Sequence, residues 1–186
     1  MTFKPFFTRI KKSNMKTAAL AILLIATSGC TMLDKKVAVV EDFKLDNYLG
    51  TWYEIARLDH SFERGLSKVT ANYTLDGDKV VVINKGYSEE DKRWNEAEGK
   101  AYFIESDNIG RLKVSFFGPF YGAYQIHDLI QANNGDYIAS LVIGPNNDYA
   151  WILSRTPKLS SDNRQRFTEK MAALGIDETK LIWVKQ

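Results

Sequence analysis

Cysteine is nearly absent from this chain: Cys30 is the only one in 186 residues, which excludes an internal disulfide and a cysteine-based zinc site. Histidine is almost as scarce, and no ligand spacing joins His60 to His127, so no metal or other cofactor is expected. His60 falls in a loop and His127 inside a strand, where a solvated or satisfied ring is the simpler reading of each. The single thiol precedes the folded body, Ser115 and Ser154 have no histidine at a telling spacing, and no glycine-rich phosphate loop follows a strand. A binding protein is expected and an enzyme is not. Four prolines and 12 glycines are too few for a collagen-like or low-complexity chain. A hydrophobic content of 45% is too high for a disordered one.

Positive charge is scarce once its position is considered. Lys4, Arg9, Lys11, Lys12 and Lys16 lie in an acid-free leader, and removing those five from 25 leaves 20 basic residues against 23 acidic. With no basic surface to track phosphates, nucleic acid is not an expected partner.

Long apolar runs are also missing. The longest, Thr17 to Ala26, is half of the ~20 residues that a spanning helix needs. It follows basic residues and precedes the small residues Thr27, Ser28 and Gly29, which is the order of a signal peptide over residues 1–29, with Met15 as an alternative start. Cys30 directly after Ser28-Gly29 resembles the lipobox of bacterial lipoproteins, with Thr27 where an aliphatic residue is usual. That resemblance implies a lipidated Cys30 and a tether through residue 42; an incidental thiol beside an ordinary cleavage site is the alternative. Several acyl chains on one cysteine would anchor the protein to a membrane stably, where one chain would not. Thr31, rather than Asp, resembles lipoproteins sent on to the outer membrane.

The body, residues 43–186, reads as strands. Segments 51–58, 68–75, 79–87, 94–104, 112–117, 121–130, 137–143 and 149–154 are rich in Val, Ile, Tyr, Trp and Thr. Turn compositions separate them, among them Asp76-Gly77-Asp78, Gly118-Pro119, Asn133-Asn134-Gly135-Asp136 and Gly144-Pro145-Asn146-Asn147. Eight strands joined in sequence predict an all-β, up-and-down antiparallel sheet, which loses its edges by closing into a barrel. The period then changes. Ser160-Ser161-Asp162 opens and Gly175 closes a stretch with Phe167, Met171 and Leu174 on one stripe, which predicts a capped helix packed outside the barrel. Leu181 to Val184 predicts a short ninth strand.

Gly50-Thr51-Trp52 at the start of the first strand, Gly135-Asp136-Tyr137 between the sixth and seventh, and Arg155 just past the eighth resemble, in order and spacing, the three motifs of the lipocalins. Segments 50–57 and 114–122 look most like the bacterial outer-membrane members of that family. The resemblance implies a lipid-anchored outer-membrane protein facing the periplasm, and it permits a homodimer. It also implies a lysophospholipid or fatty acid ligand, stored or transported in the envelope.

Physical chemistry assigns roles to the motif residues. A Trp52 plate would plug the narrow end of the barrel, and an Arg155 guanidinium could stack on it and donate to nearby carbonyls, so Gly50, Trp52 and Arg155 are expected to be structural. The open end would receive the ligand. On the sixth strand, charged Asp128 favours an outward side that it shares with Tyr124 and Ile126, which places Tyr121 in the cavity. Phe103, Phe116 and Trp151 are further cavity candidates, and Phe62 a candidate cap at the mouth. Arg57 and Arg64 would meet an anionic headgroup or stay as solvated surface charges. An alternative function, a structural or interaction lipoprotein, would have its barrel filled by its own side chains. A heme or pigment site would need His127 facing inward.

Overall fold

The computed structural model describes residues 31–186, so the leader at 1–29 and Cys30 lie outside the described residues. The eight barrel strands are β2 (Gly50–Arg57), β3 (Leu66–Asp76), β4 (Lys79–Ser88), β5 (Arg93–Phe103), β6 (Arg111–Phe117), β7 (Phe120–Gln131), β8 (Tyr137–Ile143) and β9 (Ala150–Ser154). Each pairs antiparallel with the next, β2 with β9 closes the ring, and no barrel edge is left open. A two-residue strand β1 (Thr31–Met32) lies parallel to β7, and β10 (Ile182–Trp183) pairs with β2. Helix α1 (Leu45–Tyr48) precedes β2, and α2 (Ser161–Ala173) follows β9.

Two cores explain the composition of the strands. Inside the barrel, Phe43, Tyr48, Trp52, Tyr73, Val80, Val82, Leu112 and Ile126 pack together at one end. Outside it, Phe167 and Met171 of α2 bury completely against Ile55, Leu141, Ile143 and Ile152. Strand β8 is therefore covered on both faces, which is why Tyr137–Ile143 reads as a nearly continuous apolar run where most other strands alternate. Ser160 caps α2 by accepting from the Asn163 amide at 3.3 Å, and Gly175 closes it with φ +78°.

The stretch after β1 runs the length of the barrel on its outside. Asp34 and Lys35 donate their amides to the Pro145 carbonyl at 3.0 and 2.9 Å, Val40 donates to Ile126 at 2.9 Å, and Phe43 donates to Asn108 at 2.8 Å. Buried Gln125 fixes this path: it donates to the carbonyls of Lys35 and Gly144 and accepts from the Val37 amide. The described residues thus start beside the loops that carry Phe117 and Pro145, then cross to the opposite end, where α1 closes the barrel.

Candidate functional site

At the closed end, Trp52 is fully buried and its Nε1 donates to the Tyr48 carbonyl at 2.8 Å. The Arg155 guanidinium carbon lies 3.9 Å from the centre of that ring. Its nitrogens donate to the carbonyls of Thr51, Asn47, Leu49 and Tyr137 at 2.8 to 3.3 Å, tying α1, β2 and the start of β8 together. Gly50 suits this position because its φ is +88°, in the left-handed region that strains other residues. The residues of the first and third motifs thus form one plug.

Above the plug, the barrel encloses a cavity of about 380 Å³, within the range of small-molecule pockets. Its walls are apolar, formed by Val69, Ala71, Val80, Val82, Val114 and Leu153 among others. Its floor is not: the Tyr124 hydroxyl is 2.7 Å from that of Tyr48 and 2.8 Å from that of Tyr73, and Tyr48 also reaches Ser140 at 3.3 Å. Burial pushes the Tyr48 hydroxyl up to about 12, and Tyr73 and Tyr124 well above the ordinary value, so all three are neutral.

The polar part of the wall is acidic. Glu54 and Glu63 both line the cavity; Arg57 donates to Glu54 Oε1 at 2.7 Å and to the Glu63 carbonyl at 2.7 Å, and Trp151 Nε1 donates to Glu63 Oε2 at 3.0 Å. One guanidinium thus holds the Glu54 carboxyl and the Glu63 backbone, while the Glu63 carboxyl is held by Trp151. Burial, then the neighbouring Glu63, pushes Glu54 up to about 8 against the pull of Arg57, and burial raises Glu63 as well. A protonated Glu54 spares this buried cluster one charge that would otherwise have to be held out of water. Beside it His60 stacks between Phe62 and Tyr149, with ring centroids at 5.2 and 4.8 Å, and burial with nearby Arg57 pushes it down to about 4.

The structure places the residues singled out above unevenly. Phe62, Phe116 and Trp151 line the cavity. Gly99 makes room for Phe116: a Cβ there would lie 2.8 Å from the Phe116 ring. Tyr121 does not line the cavity. It sits on the outer face with Lys113 over its ring at 5.1 Å and Tyr102 at 6.3 Å, while Tyr124 and Ile126 face inward. The cause is a bulge. Ile126 pairs with Val142 and Asp128 with the adjacent Leu141, so the extra residue His127 reverses the alternation. Asp128 does point outward, where Arg166 of α2 holds it by two hydrogen bonds of 2.7 and 2.8 Å, but its side says nothing about residues before the bulge. Phe103 does not line the cavity: it is half-buried and packs 6.1 Å from Phe43 at the closed end. Arg57, expected at the surface, is buried in the carboxyl cluster, because a second bulge between Glu54 and Ala56 turns it inward. Arg64 is exposed and forms an ion pair with Asp59. His127 Nδ1 donates to the Ala38 carbonyl at 2.7 Å, outside the barrel, so it is no axial ligand for a heme in the cavity. Among the described residues no three His, Cys, Asp or Glu side chains converge on a metal position.

Comparison with known proteins adds to this geometry. The family model for the lipocalin-like domain matches residues 43–186. The chain is 49% identical over 173 residues to a protein of Vibrio cholerae named outer membrane lipoprotein Blc, a match covering 92% of this chain and 99% of that one. A protein of the same name from Escherichia coli K12 is 49% identical over 170 residues, covering 91% of this chain and 93% of its own length. Among solved structures, the cockroach allergen Per a 4 superposes with a TM-score of 0.64 at 18% identity over 83% of this chain and 96% of that one. Insecticyanin of the tobacco hornworm Manduca sexta gives 0.62 at 20% identity over 84% and 88%. At that identity both show the fold alone.

Proposed function

The chain belongs to the lipocalin family, and from that membership we propose that it is a lipid-anchored outer-membrane lipoprotein that binds one acyl lipid in its barrel, facing the periplasm. The observation that carries the binding reading is the cavity itself: apolar along its walls, closed by Trp52 below and open among aromatic side chains above. An acyl tail gains about 0.8 kcal/mol for each methylene it buries, so such walls suffice to hold one without charged partners. A lysophospholipid or a fatty acid fits this description, held reversibly for storage or transport in the envelope. No covalent step is assigned. The location is supported by the relatives' shared name and by Cys30 directly after Ser28-Gly29.

The cavity supports the binding reading over a lipoprotein whose filled barrel serves only interactions. A homodimer is compatible with the binding reading. Native mass spectrometry of the protein purified from bacterial envelope, followed by lipid extraction, tests it. One lysophospholipid or fatty acid per protein or per dimer is expected. An empty protein that also failed to take up added lysophospholipid would refute it.

A further inference from the structure

We propose that the mouth of the barrel is a membrane-docking face, on which Phe62, Phe117 and Phe120 insert into the surface of a lipid bilayer and set the cavity opening against it. These side chains are 61%, 79% and 76% exposed, the highest values among the large apolar residues described. They come from two separate segments, the β2–β3 loop and the β6–β7 turn, and both lie at the open end. Phe62 and Phe117 also line the cavity, so one apolar surface continues from the interior to the outermost rings. Aromatic rings held in water at loop tips mark an interaction surface, and ring-sized apolar groups beside a polar body suit the headgroup boundary of a bilayer.

The path of the chain selects the bilayer as the occupant. Strand β1 places Thr31 against Tyr121, the residue after Phe120, and the Asp34 and Lys35 amides on the Pro145 carbonyl hold the next turn on the same side. The residue before Thr31 is Cys30, the expected point of lipid attachment. A bilayer that held the chain there would meet the mouth. The closed end lies at the other end of β7, about 40 Å away for 12 extended residues. The face carries no excess of cations: Asp59 pairs with Arg64, and at the β4–β5 turn, opposite the β8–β9 loop, Glu89 pairs with Lys92 and Asp91 with Arg93, while Glu90 adds a negative charge. Docking therefore depends on the rings and not on anionic headgroups. The inference rests on the reading of the chain as a membrane-anchored lipid binder, and it adds that lipid passes between bilayer and cavity without crossing water.

The test uses the full chain carrying Cys30→Ser, with one new thiol at Phe62→Cys, Phe117→Cys or, as a closed-end control, Asn134→Cys, each labelled with an environment-sensitive fluorophore. With phosphatidylcholine vesicles, with or without phosphatidylglycerol, the labels at 62 and 117 shift to the blue and the label at 134 does not. Three labels that respond alike, or no response at all, would overturn the proposal. So would a shift at 62 and 117 that needs no vesicles and grows with protein concentration, which would assign the face to a second copy of the chain. Phe120→Ser, outside the cavity lining, lowers vesicle binding about tenfold and leaves lysophospholipid affinity in solution unchanged. Titrating the labelled proteins with lysophospholipid in the absence of vesicles separates a failure of docking from a failure of lipid binding.

Discussion

Arg155 and Trp52 are 103 positions apart in the chain and in direct contact in the fold, the guanidinium carbon 3.9 Å from the ring centre. The pair closes one end of the barrel, and the same guanidinium donates to four backbone carbonyls. Loss of this contact should act on stability before it acts on binding.

Arg155→Ala removes a partly desolvated cation–π contact and the donors to those carbonyls, for an expected loss of about 2 to 4 kcal/mol in denaturant unfolding. Arg155→Lys keeps the charge but not the planar fork, and recovers less than half. Unchanged unfolding together with abolished lipid binding would refute the structural role.

The bulge at His127 makes opposite forecasts for two aromatic residues. Phe116→Ala, in the cavity wall, should weaken lipid affinity about tenfold, the usual consequence of deleting a large apolar contact of about 1 to 2 kcal/mol. Tyr121→Ala, on the outer face, should change it less than about twofold. Titration with a fluorescent fatty acid reads both, and the reverse order would mean that the β7 faces are misassigned.

The carboxyl cluster gives a pH dependence with a definite sign. Glu54, pushed up to about 8 by burial and by Glu63, keeps in the fold a proton that the unfolded chain releases above about 4.5. Stability should therefore fall as pH rises between those values. His60, pushed down to about 4, acts in the other direction: its contribution is complete above about 6.5 and is lost as pH falls toward 4. Glu54→Gln removes most of the alkaline loss, so its Tm at pH 8 should approach its Tm at pH 6 while that of the parent declines. Parallel Tm profiles for the two proteins would show that Glu54 holds no extra proton.

Much of the architecture was legible in the order of residues because it depends on local chemistry. Strand composition, turn residues and the capped stripe of α2 predict eight strands, a helix and a short last strand, and the observed bounds differ from that reading by only a few positions. Phe116 and Trp151 could be singled out as large aromatic residues on barrel strands and Phe62 as one in a mouth loop, although the same signal also picked out Tyr121 and Phe103, which do not line the cavity. The tyrosine floor and the Glu54–Arg57–Glu63 cluster were not legible. No motif marks them, and each forms only when residues from separate strands or a loop meet inside the closed barrel.

The sequence by itself determined the number and order of strands, the helix and the plug residues, since each is written in contiguous composition or in a motif. The tertiary structure alone decided which way the side chains of β2 and β7 face, that Phe103 packs at the closed end, that Arg57 is buried, and that the described residues begin beside the mouth. The physical reason is the same for the two strands: alternation carries a face assignment only until the first bulge, and a bulge depends on register with the neighbouring strand, which no single segment contains.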